Sequence, residues 1–326
     1  MPFFNSKLYN FPHKFLIVKK EIAETKSQMT QLKFAKPFLK WAGGKTQLIN
    51  DIKNTLPQDL EVKNFTYIEP FVGSGAILFW MVNNFPSLKK AIINDINKDL
   101  INTYKVIAND PHNLIALLTI FQTEFHALEE NPAEKKEYYY KKRTCYNHRK
   151  EKEVVQAALF IFLNKTCFNG LYRVNRKNEF NVPIGSYKKP KICDEKNILA
   201  VHKVLQKVEI LSGDYRETLQ YADENSFFYF DPPYKPLNST SNFNTYTEEE
   251  FGNEEQIRLR DFCRSLNQKG YRWMLSNSDV KETELKDSFF DELYADYFIK
   301  RVQAKRSINA NPHKRGKLNE LLITNY

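Results

Sequence analysis

Residues 227 to 234 read Phe-Phe-Tyr-Phe-Asp-Pro-Pro-Tyr, four aromatic residues followed by a carboxylate, two prolines and a tyrosine. Four consecutive aromatic residues are typical of a buried central strand. Pro232 and Pro233 cannot donate to a strand ladder, so the chain must leave the sheet there. We therefore predict that Asp231 lies at the carboxyl edge of a sheet, where open α/β sheets bind ligands.

The residues that follow this strand suit transfer of a group to an exocyclic amine on a planar base. Such an amine is a poor nucleophile because its lone pair is delocalised into the ring. The Asp231 carboxylate and the Pro232 carbonyl are two acceptors for its N–H bonds, and the prolines make the carbonyl rigid. Tyr234 can stack on the base, a contact worth about 1–3 kcal/mol in nucleic-acid sites. A tight turn after a core strand is the structural alternative.

A second motif, Phe65-Thr-Tyr-Ile-Glu-Pro-Phe-Val-Gly-Ser-Gly-Ala76, indicates a strand, a glycine turn and the start of a helix. Gly73 and Gly75 let a ligand approach the backbone, although Gly-x-Gly alone is a weak signal. Asp95 ends the next predicted strand, which starts at Ala91, and an acid there can take ribose hydroxyls. This order of elements predicts a turn that binds a nucleoside without phosphate.

Length and composition favour a globular protein of one large or two smaller domains, since the chain has 326 residues and is 42% hydrophobic. We find no run of 18 apolar residues, and the apolar patch from Phe15 to Val18 is too short for a signal peptide. A cytoplasmic location is therefore expected. The four cysteines form no Cys-x-x-Cys pair, so we expect free thiols and no metal site.

The positive charge is concentrated in one segment. The chain carries a net charge of +10, and the segment from Lys135 to Lys191 has 15 Lys and Arg against 4 Asp and Glu, a balance of +11. Tyrosines are interleaved with these charges, at Tyr138, Tyr139, Tyr140, Tyr146 and Tyr172. This combination is what a nucleic-acid-facing surface needs. A solvated charged face is the alternative.

The motif from Asp231 to Tyr234 resembles the catalytic motif of the amino-methyltransferases. With the segments around it, the chain is similar to the Dam-type adenine-N6 DNA methyltransferases (D12 class, alpha group), which recognise GATC. The similarity runs from about Lys36 to the C-terminus. It implies an α/β doubly wound, Rossmann-like sheet, a helical plus β-hairpin insert for DNA recognition, and S-adenosyl-L-methionine as the methyl donor.

The resemblance also implies how the chain is divided. We expect residues 1–34 to be an extension, 35–98 and 194–326 to form the catalytic domain that binds the donor, and 99–193 to recognise DNA. Helices are predicted at Asn113 to Phe125, Lys135 to Lys150, Val154 to Leu163, Leu199 to Val208 and Ile257 to Leu266. The expected enzyme is a monomer that acts on double-stranded DNA at the nucleoid of a bacterial or phage-infected cell. A cognate restriction endonuclease for the same site is left open as a partner.

Roles for individual residues follow from the same resemblance. Asp231, Pro232, Pro233 and Tyr234 are the expected catalytic residues. The residues expected to bind the donor are Trp41, Lys45, Phe71, Gly73, Gly75, Asp95, Asp214, Tyr215 and Asp231. Trp41 and Lys45 would hold its amino-acid end, and Asp214 would accept from its adenine amine with Tyr215 beside the ring. Gly-Gly-Lys-Thr at 43–46 is not a phosphate loop, because Leu39 stands where the first glycine is required.

The segment from Asn169 to Pro183 has the form of a hairpin, in which two alternating stretches flank a polar turn at Arg176 to Asn178. It closely resembles the recognition hairpin of the Dam-type enzymes. The residues expected to bind DNA are Asn169, Leu171, Arg173 and Pro183. The arginine fork suits guanine O6 and N7. Asn178 stands where the family usually has glycine, and asparagine tolerates a positive φ better than most residues.

Two further segments have predicted roles. Leu237 to Thr247 is polar and aperiodic, which favours a mobile loop near the active site. Lys300 to Lys317 contains seven basic and no acidic residues, which favours a loop that holds DNA phosphates, and Leu318 to Ile323 favours a last strand. The alternatives for the whole chain are a cytosine-N4 methyltransferase, which more often has serine in place of Asp231, an RNA or protein-amide methyltransferase, and a non-catalytic DNA-binding protein.

Overall fold

Seven strands form one sheet in the structure, a computed structural model that describes residues 34–41, 43, 45–234, 251–279, 288–305 and 317–326. They are β1 (Phe65–Glu69), β2 (Leu88–Asp95), β3 (Val208–Ser212), β4 (Ser226–Phe230), β5 (Arg272–Ser278), β6 (Phe298–Lys305) and β7 (Lys317–Thr324). Their order across the sheet is β3-β2-β1-β4-β5-β7-β6. The first five are parallel, and β7 runs antiparallel between β5 and β6. The predicted doubly wound, Rossmann-like sheet is confirmed.

The aromatic strand lies in the middle of this sheet. All five residues of β4 are buried. Phe227 and Tyr229 pack into one hydrophobic core, whereas Phe228 and Phe230 pack into a second core. Because parallel sheets are covered on both faces, a central strand is apolar at every position, not only at alternate ones. The buried-strand prediction for Phe227–Phe230 is therefore confirmed.

The strand order reverses beside β4. The chain builds β1, β2 and β3 in one direction and then returns to place β4 on the other side of β1. At such a switch point the connections leave the sheet in opposite directions, which opens a crevice at the carboxyl ends of the strands. Asp231 directly follows β4 and lies at this edge, as predicted.

Some helices pack against the sheet, and others pack mainly against one another. The helices are α1 (Ile49–Thr55), α2 (Ala76–Asn84), α3 (Lys98–Asn109), α4 (Pro111–Ala127), α5 (Pro132–His148), α6 (Glu153–Thr166), α7 (Glu195–Leu205), α8 (Asn253–Gln268) and α9 (Phe289–Leu293). The helices predicted within α4, α6 and α8 are confirmed, and the helix predicted from Lys135 to Lys150 is confirmed except at its end, because α5 stops at His148 and Arg149 has a φ of 52°. The helix predicted from Leu199 to Val208 is misplaced at both ends, because it begins at Glu195 and Val208 opens β3.

The tyrosines of the basic segment contradict one expectation. Tyr139 and Tyr146 on α5 are fully buried, and Tyr172 is 4% exposed. They pack against aromatic residues of α6, where Phe160 stacks on Tyr146 and contacts Tyr172 edge-on. One face of α5 therefore belongs to the core, and the prediction that these three tyrosines line a nucleic-acid surface is wrong. Tyr138 and Tyr140 are half-buried.

The predicted hairpin is present in an irregular form. Its two sides meet at two antiparallel bridges in the described chain, Cys167 with Ile184 and Val174 with Phe180. The turn closes where the Asn178 N–H donates to the Asn175 carbonyl at 2.9 Å. Asn178 has a φ of 58°, so the expected positive φ is confirmed.

Predictions for the C-terminal part have mixed outcomes. Residues 300–305 lie in β6 and Lys317 begins β7, so the basic loop predicted from Lys300 to Lys317 is wrong at both ends. Arg301 is bound by Asp279 and Asp291. The last strand is confirmed within β7. Residues 306–316 and the loop predicted from Leu237 to Thr247 lie outside the described residues.

Two expectations about the whole chain can be compared with the described residues. The four cysteines, all of which the structure describes, are free as predicted. No helix in the described ranges is both long enough and apolar enough to span a bilayer.

Candidate active site

A cavity of about 340 Å³ opens at the carboxyl ends of β1, β2, β3 and β4. Its wall brings together most of the residues that the sequence singled out, namely Trp41, Lys45, Phe71, Gly73, Asp95, Asp214, Tyr215, Asp231, Pro232, Pro233 and Tyr234. Gly75 is not among the lining residues and is the N-cap residue of α2. These residues come from five separate parts of the chain, and the switch point of the sheet collects them.

The glycine turn after β1 is tied to Asp95 at the end of β2. The Gly73 N–H donates to Asp95 Oδ2 at 3.1 Å, and the Asn97 N–H donates to Oδ1 at 2.9 Å. Burial raises the pKa of the Asp95 carboxyl above its usual range, and these N–H groups oppose the shift. A Cβ on Gly73 would lie 3.0 Å from the Trp41 indole, so the absence of a side chain lets Trp41 cover the turn.

Gly75 is required for a similar reason. Its φ is 75°, and a Cβ there would lie 2.6 Å from the hydroxyl of Tyr104. The Tyr104 hydroxyl in turn donates to the Gly73 carbonyl at 3.1 Å. The turn is therefore held in one conformation by a buried tyrosine on α3, and both glycines are needed for it.

Asn94 connects the loops on two sides of the cavity. Its Nδ2 donates to the Pro70 carbonyl at 3.1 Å and to the Gly213 carbonyl at 3.0 Å. Its buried Oδ1 has no hydrogen-bond partner in the described chain. The sequence analysis missed Asn94, which fixes the glycine turn relative to the loop that carries Asp214.

The Asp214 side of the cavity is held by two arginines. Asp214 Oδ1 accepts from the backbone N–H and the Nε of Arg216, both at 2.9 Å, and Oδ2 pairs with Arg258. Burial alone would raise the pKa of Asp214, but these hydrogen bonds lower it below its usual range. The ring centres of Tyr215 and Phe71 are 5.1 Å apart. The Tyr215 hydroxyl is buried without a hydrogen-bond partner among the described residues.

Asp231 forms an ion pair with a buried lysine. Lys45 Nζ lies 2.7 Å from Asp231 Oδ1 and 2.9 Å from Oδ2, and Lys45 is 3% exposed. The same ammonium donates to the Gly43 carbonyl at 2.7 Å and lies 4.5 Å from the centre of the Tyr234 ring. Burial raises the pKa of Asp231, whereas Lys45 and the Ser276 hydroxyl, 3.1 Å from Oδ1, lower it.

Residues that the sequence analysis missed hold the segment from Asp231 to Tyr234 in place. The Tyr234 hydroxyl donates to Glu320 Oε2 on β7 at 2.7 Å. Gln256 on α8, which is fully buried, donates to the Pro233 carbonyl at 3.2 Å and accepts from Asn277 Nδ2 at 3.1 Å. In the sequence, the polar run 276–279 follows a buried strand, and it could have indicated these contacts because the carboxyl end of a strand faces the crevice.

The four residues expected to bind DNA lie on the hairpin and outside the cavity wall. Asn169, with a φ of 55°, and Pro183 are exposed, whereas Leu171 and Arg173 are half-buried. Arg173 Nε donates to Asn181 Oδ1 at 2.8 Å. The hairpin nevertheless touches the cavity wall, because Tyr172 stacks on Trp41 with ring centres 5.4 Å apart and planes 17° apart.

Comparison with known proteins identifies the family. The sequence profile of the D12 class N6 adenine-specific DNA methyltransferases matches residues 41–308. The chain belongs to this family. The D12 class enzyme described here acts on DNA and methylates adenine at N6, and the family implies S-adenosylmethionine as the methyl donor. Membership decides against the cytosine-N4, RNA, protein-amide and non-catalytic alternatives.

Individual relatives cover nearly the same region. The chain is 51% identical over 295 residues to the type II methyltransferase M.MjaIII of Methanocaldococcus jannaschii, a match that covers 89% of this chain and 99% of the relative. It is 38% identical over 288 residues to the DNA adenine methylase of Haemophilus influenzae, covering 88% and 92% of the two chains. Against the DNA adenine methylase of Escherichia coli K12 the identity is 34% over 291 residues, covering 89% and 95%.

Proposed function

We propose that this D12 class enzyme transfers the methyl group of S-adenosylmethionine to N6 of adenine within GATC sites of duplex DNA. The main support is the position of Asp231, an ion-paired carboxylate beside two prolines at the switch point of the sheet. GATC is proposed from the resemblance of the hairpin. We assign donor binding and catalysis to residues 35–98 and 194–326 and recognition to 99–193. The enzyme would act as a monomer at the nucleoid, with a cognate endonuclease or as an orphan methylase.

The residues of the cavity fit this donor. Its volume of about 340 Å³ lies within the usual range for small-molecule sites. Asp95 would take the ribose hydroxyls and Asp214 the adenine amine, with Phe71 and Tyr215 beside the adenine ring. Trp41 and Lys45 would hold the amino-acid end, while Gly73 and Gly75 let the backbone approach. When bound, the donor supplies an electrophilic methyl group on a sulfonium centre.

The chemistry at Asp231 follows from its surroundings. Flipping the target adenine out of the duplex costs a few kcal/mol, and the base would then stack on Tyr234. Asp231 and the Pro232 carbonyl would accept the two N–H bonds of N6, which turns the nitrogen lone pair toward the methyl group. Because Lys45 contacts both oxygens of Asp231, the amine must share that carboxylate with the ammonium. Catalysis then rests on positioning and electrostatics.

Sequence reading is proposed for the hairpin. The hydrogen bond from Arg173 to Asn181 uses Nε, and the two Nη groups would face the base. An arginine fork on guanine discriminates by about 1–3 kcal/mol. Asn169, Leu171 and Pro183 would contact neighbouring bases. The balance of 15 basic to 4 acidic residues between Lys135 and Lys191 supports attraction to the phosphate backbone.

The test is methyl transfer to two duplexes, one containing GATC and one with those four bases shuffled. Labelled S-adenosylmethionine is supplied, and the nucleosides are analysed after digestion. We expect label in N6-methyladenine on the GATC duplex alone. Equal label on both duplexes would overturn the proposed site and leave the chemistry, whereas no label on either would overturn the proposed reaction.

A further inference from the structure

The returning side of the hairpin, residues 178 to 182, lacks a regular partner strand. Beyond the turn, its backbone contacts with the outgoing side in the described chain are one bridge, between Val174 and Phe180, and the hydrogen bonds that Glu179 and Asn181 make on either side of it. Backbone carbonyl and N–H groups of an ordered segment nevertheless need hydrogen-bond partners. The question is therefore which groups bind the backbone of this segment.

Side chains from α5 and from the residue that follows it supply those partners. The Tyr139 hydroxyl donates to the Val182 carbonyl at 2.8 Å. Asn147 binds Phe180 twice: its Oδ1 accepts from the N–H at 2.8 Å and its Nδ2 donates to the carbonyl at 3.1 Å. Arg149, the residue after α5, donates from Nη2 to the Asn178 carbonyl at 2.9 Å.

The bound residues are alternate ones, Asn178, Phe180 and Val182, which is the spacing with which one strand pairs with its neighbour. The helix therefore takes the place of an adjacent strand. Asn147 makes the same donor and acceptor pair that a residue in a neighbouring strand would make. We call the contacts of Tyr139, Asn147 and Arg149 with the hairpin backbone the helix clasp.

The helix side of this clasp is firmly held. The Arg149 guanidinium also pairs with Asp99 on α3, and the Tyr146 hydroxyl donates to Asp99 Oδ2 at 2.7 Å. Tyr139 and Tyr146 are fully buried. Because α5 is held in place by these contacts, the hairpin can move only if its hydrogen bonds to α5 and Arg149 break.

The clasp also determines where Arg173 lies. Arg173 Nε donates to Asn181 Oδ1 at 2.8 Å, and the Asn181 N–H donates to the Arg173 carbonyl at 3.1 Å. Asn181 stands between Phe180 and Val182, the two residues that α5 binds most closely. Asn147 therefore holds Phe180, and the next residue, Asn181, holds the Arg173 guanidinium.

We propose that Asn147 and Arg149 are positioning residues for sequence discrimination, which hold the hairpin so that Arg173 reaches a base edge at the correct depth. The proposal rests on the proposed role of the hairpin in reading DNA. It goes beyond that role, because it assigns part of the specificity to residues outside the hairpin.

The decisive variant is Asn147→Ala, which removes both bonds to Phe180 without changing the charge of the protein. The full-length enzyme is assayed on plasmid DNA of mixed sequence with position-resolved detection of N6-methyladenine. Discrimination is the rate at the preferred site divided by the rate at sites that differ by one base pair. We expect this ratio to fall roughly tenfold, within the usual cost of one mismatched base pair.

Two controls accompany this variant. Thr144→Ala removes a polar group of similar size from an exposed position on the same helix, and we expect unchanged discrimination. Arg173→Ala removes the proposed base reader itself and gives the largest loss of discrimination that the hairpin can show. Affinity for S-adenosylmethionine should be unchanged in Asn147→Ala, because the cavity wall does not include this residue.

A second variant, Arg149→Lys, separates positioning from charge. Lysine keeps the positive charge but lacks the planar fork that joins Asp99 to the Asn178 carbonyl. We expect several-fold lower discrimination, with the salt dependence of DNA binding unchanged because the number of cations is the same. This variant keeps the proposal testable if Asn147→Ala fails to fold.

The outcomes separate this inference from the proposed function. Normal discrimination in Asn147→Ala and Arg149→Lys, together with a loss in Arg173→Ala, would overturn the helix clasp as a determinant of specificity and leave the proposed function intact. Equal slowing at all sites with a lowered Tm would mean a merely structural role and would also overturn it. Normal discrimination in Arg173→Ala would exclude Arg173 as a base reader and overturn the helix clasp inference with it, whereas the proposed methyl transfer is overturned only by absence of label in the two-duplex assay.

Discussion

The cavity and the hairpin of this enzyme are built in different ways. The cavity lies at the ends of parallel strands whose backbones are paired throughout the sheet, and charged groups in its wall form ion pairs such as Lys45 with Asp231. The hairpin has two bridges between its sides and depends on side chains of α5 for further backbone hydrogen bonds. The proposed reacting groups thus stand on a regular framework, whereas the residues proposed to read DNA stand on an irregular segment that a few contacts hold.

This difference predicts different consequences of substitution. A change in the cavity should abolish or slow the reaction on every DNA sequence. A change in the hairpin or its clasp should alter which sequence is methylated while the reaction itself persists. The next three predictions test this separation.

The largest effect is expected for Asp231→Asn. The amide keeps the shape of the side chain but directs an N–H group toward the substrate amine and leaves Lys45 without its counter-charge. We expect methyl transfer to fall by about 10²- to 10³-fold, as for loss of a preorganised polar group in an active site. Methyl transfer and duplex binding are measured in parallel. Loss of DNA binding in Asp231→Asn would show that the cavity and the hairpin are not separable in function. The matched control is Asp261→Asn, at an exposed position on α8.

A smaller effect with a characteristic pH dependence is expected for Lys45→Met. The proposed reaction needs ionised Asp231, and the neighbouring ammonium lowers the pKa of this carboxyl against the effect of burial. Removing the cation raises that pKa, so activity should begin to fall at a higher pH as the solution is acidified. The pH profile of kcat is compared with that of Lys53→Met, at an exposed position on α1. An acid limb at the same pH in both variants would contradict the assigned role of Lys45.

The smallest effect is expected for Asn178→Gly at the tip of the hairpin. Glycine adopts the φ of 58° more readily, and the backbone carbonyl that Arg149 binds is retained. We expect Tm to change by no more than about 2 °C and discrimination to stay the same. Asn178→Val should instead lower Tm, because a β-branched residue is strained at positive φ. Altered discrimination in Asn178→Gly would show that the tip residue, and not the clasp alone, sets the shape of the hairpin.

Much of the fold could be predicted from hydrophobic patterns. The aromatic run of β4, the glycine turn before α2 and the helical periods of α4, α5, α6 and α8 are local signals, and the structure follows them. The burial of Tyr139 and Tyr146 was also available from spacing, since residues two helical turns apart share a face. The composition of the segment suggested a DNA surface, but the period of the helix decides that these two rings enter the core.

The remaining site residues could not be predicted because their partners are remote in sequence. Ser276 and Glu320 reach the catalytic motif from β5 and β7, and the pairing of those strands brings them there. Asn147 is an ordinary polar residue near the end of a helix until the hairpin lies against it. Alternation in the hairpin sequence predicted its turn, but it carried no information on the helix that holds it.

The stack of Trp41 on Tyr172 gives the two regions a common boundary. Trp41 covers Gly73 in the wall of the cavity, while Tyr172 lies between Leu171 and Arg173 in the hairpin. If donor binding moves the indole, it changes the free energy of arranging the hairpin, and DNA binding must change donor affinity by the same factor. Under that condition the aromatic pair would couple the proposed methyl donor site to the hairpin proposed to read DNA.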